Sequence, residues 1–204
     1  MSTIERSPAL QGFLDAVKHA VETGAPRPET QACLRRIFAA LATPKPETIG
    51  DGARLPACDF LDAALEPAIR RGGPLKQVAL GIAGLAPLLS WDRREGAAPT
   101  ASESFRDGHA NTMIVGPEGI EDRRDVWVGL SLLAPDVRYP DHNHSPEEIY
   151  LVLTDGRFRH GDDDWETPGI GGTFHNKPGI VHAMASSGHS PFLAVWCLFD
   201  PRAT

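Results

Sequence analysis

Cysteine is scarce in this chain: three in 204 residues, at Cys33, Cys58 and Cys197. An odd, scattered set argues against a disulfide framework, and without a Cys-x-x-Cys pair it argues against a zinc knuckle; free thiols of a reducing compartment, the cytoplasm, are the expectation. Basic residues are in deficit, with 20 Lys and Arg against 27 Asp and Glu and a formal net charge of −7. That balance argues against nucleic acid as the main partner, because a phosphate-binding surface needs cations in excess. No apolar run is long enough to span a membrane, and the opening Met-Ser-Thr-Ile-Glu-Arg has no apolar segment behind a basic start, as a signal peptide would. Internal repeats and low-complexity tracts are absent. Tyrosine is rarer still, with only Tyr139 and Tyr150. What is present is a globular composition, 41% hydrophobic, on a chain long enough to bury a substantial core.

The hydrophobic period changes along the chain. Leu10, Phe13, Leu14, Val17 and Val21 recur at helical spacing, as do Leu34, Ile37, Phe38 and Leu41. Leu61, Leu65 and Ile69 continue the pattern, followed by Leu75, Val78, Ile82, Leu85 and Leu89. Pro26 and Pro28 separate the first two segments, and Thr30 is a candidate cap for the second. Residues 8 to 90 therefore read as about four helices, within a helical N-terminal segment spanning 1–92. Beyond it, over 93–204, the signals are β: short strands at Thr112 to Val115, Val126 to Leu133, Glu148 to Leu153, Thr173 to His175, Ile180 to Met184 and Phe192 to Phe199, with Asp155-Gly156 as a hairpin signal. Short strands at this spacing predict a sandwich or barrel.

The stretch that carries chemistry is Tyr139-Pro-Asp-His-Asn-His-Ser-Pro-Glu-Glu-Ile-Tyr150. His142 and His144 are two apart, which on a strand places both on one face. Glu148, Tyr150 and Val152 share one face of the next strand, and Ile149, Leu151 and Leu153 the other. A barrel interior lined by a carboxylate, a phenol and two imidazoles is costly unless something charged binds there, and a divalent metal offsets that cost. Two imidazoles and a carboxylate suit zinc, iron, manganese, nickel or cobalt. His182 follows a turn at Asn176 to Gly179 and completes the set. Both tyrosines fall inside this one short stretch. Trp196 lies in a strand apolar on both faces, where packing is the default, although an indole can also line a pocket for a cation. His19, His109, His160, His175 and His189 read as structural or exposed.

His142, His144 and Glu148 match the first motif of the cupin superfamily, and Gly171, Gly179 and His182 fit the frame of its second. Several positions depart from the pattern: Asp136 stands for a glycine, Pro178 is shifted by one residue, Gly156 comes one residue late, and Ser186 stands for an asparagine. The whole stretch from Tyr139 through Leu153 more closely resembles the cupin-type dimethylsulfoniopropionate (DMSP) lyases of the DddQ type, which also place a helical segment before the barrel. The resemblance implies a mainly β fold with α: an N-terminal helical segment followed by a single cupin (double-stranded β-helix, jelly-roll) barrel. It implies a metal held by His144, Glu148 and His182, with His142 a ligand or close neighbour; one divalent zinc, iron or manganese ion is expected. It implies a lyase that cleaves DMSP to dimethyl sulfide and acrylate, with Tyr139 and Tyr150 in the active site. In that scheme Tyr150 is the base, Tyr139 and His142 contact substrate, and Trp196 is the candidate wall for the sulfonium. The helical half would supply packing and a homodimer surface. Two other readings use the same ligands: another cupin metalloenzyme, such as an iron-dependent dioxygenase, and a non-catalytic small-acid-binding cupin, which has no need of the tyrosine pair.

Overall fold

The computed structural model describes residues 4–24, 27–200 and 202. Over residues 8 to 90 it has four α-helices: α1 (Pro8–Gly24), α2 (Pro28–Leu41), α3 (Leu61–Arg71) and α4 (Gly73–Leu85). The periodic residues are the buried ones: Leu10, Phe13, Leu14, Val17 and Val21 form one face of α1, and Leu75, Val78, Ile82 and Leu85 one face of α4. Pro28 opens α2 at a position where its missing N–H leaves no bond unmade. That early start makes Arg27 the cap. Thr30 instead lies buried in the first turn, its hydroxyl 3.2 Å from Nδ1 of His175. Pro26 lies outside the described residues.

The β segments are β1 (Trp91–Asp92), β2 (His109–Val115), β3 (Val126–Leu133), β4 (Arg138–His142), β5 (Glu147–Val152), β6 (Gly156–His160), β7 (Thr173–Asn176), β8 (His182–Ser186) and β9 (Phe192–Phe199), with a short helix α5 (Phe105–Gly108) before β2. They form a six-stranded sheet in the order β1-β2-β3-β9-β5-β7 and a three-stranded sheet in the order β4-β8-β6. All named strand pairs are antiparallel. The chain is thus an N-terminal helical segment followed by a cupin barrel.

The six-stranded sheet is covered on both faces, which explains its doubly apolar strands. Ile149, Leu151, Leu193, Val195 and Cys197 join the helices in one core. Tyr150, Val152, Phe192 and Ala194 face the other sheet and join Tyr139, Phe158, Phe174 and Met184 in the second. The parity read for β5 therefore holds, with Ile149 outward and Tyr150 inward.

Asp155-Gly156 does not close a hairpin. β5 pairs with β7 and β9, whereas β6 pairs with β8, so the chain passes here from one sheet to the other. Gly156 is needed for close approach: a Cβ there would stand 2.2 Å from the Phe192 ring. β8 begins later than apolarity indicates. Ile180 donates its N–H to the Lys177 carbonyl in a turn, and Val181 is 39% exposed. Asp136, in place of a motif glycine, keeps a left-handed backbone at φ 58°, a conformation that Asp tolerates better than most residues. The Ser186 hydroxyl ties down the same corner, accepting from the Val137 N–H at 2.8 Å and donating to the Ala134 carbonyl at 2.7 Å.

Candidate metal centre

The two sheets meet at one end of the barrel, and each contributes to the cluster. His142 ends β4 directly opposite His182, the first residue of β8. Glu148 lies on β5 of the other sheet. His144 lies beyond β4, so strand alternation does not place it. The connection to β5 turns it toward Glu148, and its carbonyl accepts the Gly179 N–H at 2.8 Å, which fixes that loop against the β7–β8 turn.

Each of the three histidines is oriented by a backbone carbonyl. Nδ1 of His142 donates to Pro140 at 2.9 Å, Nδ1 of His144 to Pro146 at 2.9 Å, and Nδ1 of His182 to Ile180 at 3.1 Å. In the neutral ring this assignment puts the lone pair on Nε2. Nε2 of His144 lies 3.1 Å from Oε2 of Glu148. Nε2 of His182 lies 3.3 Å from the same oxygen, is buried, and makes no aligned hydrogen bond. One donor atom from each of His144, Glu148 and His182 lies within 4.8 Å of the others. Ligand bonds of about 2.0–2.2 Å to a single transition metal put neighbouring donor atoms roughly 3 Å apart, so the residues present fit such an ion. The His142 ring lies beside His182, with centroids 4.1 Å apart.

Electrostatics follow from burial. Burial alone would raise the Glu148 carboxyl, but the imidazoles of His144 and His182 beside it hold it well below the usual carboxylate range. Burial opposes charge on His144 too, yet its contact with Glu148 raises it. Burial, with His182 beside it, pushes His142 down to about 4, so its ring is neutral at ordinary pH.

Tyr139 and Tyr150 both lie beside this cluster. Tyr139 packs against His142 with ring centroids 4.9 Å apart, and Tyr150 lies 6.4 Å from His182. Their hydroxyls differ. The Tyr139 oxygen accepts from Nδ2 of Asn111 at 3.0 Å, and Oδ1 of Asn111 accepts from the Ser131 hydroxyl at 2.7 Å. Burial raises Tyr139 to about 12, and the Asn111 bond works in the opposite direction. Tyr150 is raised well above 10, first by burial and then by the negative charge of Glu148.

The chain belongs to the dimethylsulfoniopropionate lyase family. Its match to that family runs over residues 29–194. A putative dimethylsulfoniopropionate lyase, DddL, of Cereibacter sphaeroides is 26% identical over 124 residues, covering 61% of this chain and 51% of the relative. The chain thus spans about half the length of that curated relative. Among solved structures, a chain from the crystal structures of the DMSP lyases RdDddP and RnDddQII superposes with a TM-score of 0.72 at 20% identity, covering 95% of this chain and 93% of that one. The DMSP lyase DddQ of Ruegeria pomeroyi gives 0.71 at 18% identity, covering 98% and 95%. At such identities these structures establish the fold. The stretch matched to the DMSP lyase family contains His142, His144, Glu148, Tyr139, Tyr150 and His182; Trp196 lies just beyond it.

Trp196 is half-buried on the inward face of β9, opposite Tyr150 in the ladder. Its indole lies over Gly129 of β3, where a Cβ would come within 2.2 Å of it. With Asn111 it lines a cleft of about 790 Å³ whose walls include Asp92, Glu118 and Asp122 and, among the described residues, no lysine or arginine.

Three residues that composition and spacing do not single out are Asn111, Asn176 and His160. The signal for the asparagines is parity: each is a strand-disfavoured amide at an inward position of a strand. Nδ2 of Asn176 donates to Oε2 of Glu148 at 2.7 Å. His109 is satisfied structurally, its Nδ1 bonded to the Phe105 carbonyl and its Nε2 accepting from the Arg94 N–H. His175 lies on the outward face, 2.8 Å from Glu147.

Proposed function

We propose that this protein is a metal-dependent lyase that cleaves DMSP to dimethyl sulfide and acrylate by β-elimination. The observation that carries the reading is one shared cluster: His144, Glu148 and His182 converge within 4.8 Å, with Tyr139 packed on the adjoining His142 and Tyr150 near His182. Membership of the DMSP lyase family supports it. A non-catalytic binding module would not need two buried phenols at such a cluster.

His144, Glu148 and His182 would hold the metal, with His142 beside it as a fourth ligand or a substrate contact. The ion is zinc, iron or manganese, since the donor set of imidazoles and carboxylate admits each. A divalent ion bound there would supply positive charge for the substrate carboxylate and would favour the phenolate form of a neighbouring tyrosine. Tyr150 takes the α proton on its phenolic oxygen. The Cα–H electrons form the new C=C bond as the Cβ–S bond breaks, and dimethyl sulfide leaves with the electron pair. Tyr139 holds substrate from the other side. The Asn111 N–H on the Tyr139 oxygen favours a phenolate there, which makes Tyr139 the second candidate for the base. Trp196 and the carboxylate-lined cleft receive the sulfonium, because an indole face and anions both attract a desolvated cation.

The setting is the reducing cytoplasm, supported by three buried free thiols. No described helix is long and apolar enough to cross a membrane. A second copy of the chain, docking through the helical segment, completes the reading and is tested by light scattering. The central test is incubation of purified, metal-loaded protein with DMSP and measurement of headspace dimethyl sulfide. Production above the metal-free control supports the reading. Metal-loaded protein that binds DMSP and leaves it intact over hours sinks it.

A further inference from the structure

His160 ends β6 in the three-stranded sheet and stands directly opposite His182. Asn176 ends β7 in the six-stranded sheet and stands directly opposite Glu148. The two metal-facing residues His182 and Glu148 therefore come from different sheets, and no backbone ladder joins β6 or β8 to β5 or β7. A side-chain bond crosses that gap. Nε2 of His160 lies 2.9 Å from Oδ1 of Asn176, and Nδ2 of Asn176 donates to Oε2 of Glu148 at 2.7 Å.

The proton assignments follow from one another. A carboxylate only accepts, so the Asn176 atom facing Glu148 is the amide nitrogen. Oδ1 of Asn176 then faces His160, which donates through Nε2. Asn176 is fully buried, and a buried amide in a strand is unfavourable unless its groups are paired. Here both ends of the amide are paired across the barrel. The His160 ring is held in place by stacking on Phe174, with centroids 4.4 Å apart at 28°. Its outer side lines a cleft of about 300 Å³ with Thr30 and Glu166, so it can be altered without opening the core.

We infer that Asn176, braced by His160, is a positioning residue for the metal centre. The pair clamps the two sheets and holds Oε2 of Glu148 at its distance from Nε2 of His182. The inference rests on the metal-centre reading and adds two residues to it that touch neither metal nor substrate. Outer partners of this kind typically govern metal affinity by about ten- to a hundredfold.

Cobalt(II) tests it, titrated into metal-free protein against a competing chelator, with the visible spectrum reporting coordination. Asn176→Leu is expected to weaken cobalt binding by about ten- to a hundredfold and to shift the spectrum. His160→Leu should weaken it by a smaller factor, and His160→Gln, which restores an N–H facing Asn176, should recover most of the loss. Thermal unfolding of the metal-free forms shows which variants are folded. Should Asn176→Leu not fold, the His160 pair decides: a loss in His160→Leu rescued in His160→Gln supports the clamp. Wild-type affinity and spectrum in folded Asn176→Leu, or in both His160 variants, overturn it. Wild-type protein that binds no cobalt overturns the metal centre itself, which separates the two failures.

Discussion

Nε2 of His182 faces Oε2 of Glu148 at 3.3 Å, and no proton is aligned between them. Nδ1 of His182 already donates to the Ile180 carbonyl, so the neutral ring presents a lone pair to a buried carboxylate. Two acceptors at that distance repel unless a cation lies between them, and a buried charge left uncompensated costs several kcal/mol. The first prediction follows. Purified protein should carry close to one transition metal per chain by elemental analysis, and His144→Ala or His182→Ala should lose most of it. Chelation should lower Tm and re-addition restore it, since a ligand at a hundred times its Kd adds about 2.7 kcal/mol to the folded state. Full metal retention in both alanine variants would refute the assignment.

Much of this centre was legible in the residues. Glu148 and Tyr150 share a face because β5 alternates without interruption, and His182 is found by motif spacing. His144 was reached by the right spacing for an incomplete reason, because the chain leaves β4 at His142 and loop geometry, held by Gly179, does the rest. Asn176 and His160 were hidden because their partners lie on other strands, and the bond between the two crosses from one sheet to the other, a pairing that periodicity within one strand cannot encode. Asp155-Gly156 misled for a related reason: a glycine required by the Phe192 ring is indistinguishable in sequence from one required by a turn. The four helices were legible because each carries its own period.

A second prediction concerns acid stability. Arg123 donates two hydrogen bonds to Asp125, at 2.7 and 2.8 Å, and also binds Glu121 and the Ala40 and Thr43 carbonyls near the end of α2. Those bonds hold the Asp125 carboxyl below its usual range, against an opposing push from burial. A carboxyl depressed on folding contributes stability above its unfolded pKa, about 3.9, and that contribution is lost as pH falls through the folded value. Asp125→Asn should therefore cost about 1–3 kcal/mol at pH 7, with the gap to wild type closing progressively as pH falls below about 3.9. Denaturant unfolding of both proteins across pH 2 to 7 measures it; a gap independent of pH would contradict the pairing.

A third concerns the wall of the chamber. A Cβ at Gly129 would meet both the Thr112 carbonyl and the Trp196 indole at 2.2 Å. Gly129→Ala should destabilise by about 1–3 kcal/mol, as overpacking does, and displace the indole. If Trp196 receives the sulfonium, KM for DMSP should rise in Gly129→Ala and in Trp196→Leu more than kcat falls. An unchanged KM in folded Trp196→Leu would remove the indole from substrate binding.

The last prediction separates the two phenols. Tyr150→Phe keeps the ring and its packing but removes the oxygen proposed to accept the α proton, and loss of a general base typically costs about a hundredfold to ten-thousandfold in rate. Metal content should stay near wild type, because neither phenol belongs to the proposed ligand set. Tyr139→Phe should cost less if Tyr139 only holds substrate. The environments of the two hydroxyls make the comparison informative: burial and the Glu148 charge disfavour the Tyr150 anion, whereas Asn111 donates to the Tyr139 oxygen and works in favour of its anion. Asn111→Leu therefore serves as a third arm. If Tyr150 is the base, Asn111→Leu should change kcat little and leave the pH–rate profile in place. If Tyr139→Phe is inactive, Tyr150→Phe turns over, and Asn111→Leu moves the ascending limb of the profile to higher pH, Tyr139 takes the proton and Asn111 tunes it. A primary isotope effect with α-deuterated DMSP in the wild type identifies proton removal as rate-limiting, which is the condition under which these rate losses report the base. Full activity in both phenylalanine variants at equal metal occupancy would exclude either hydroxyl from proton transfer.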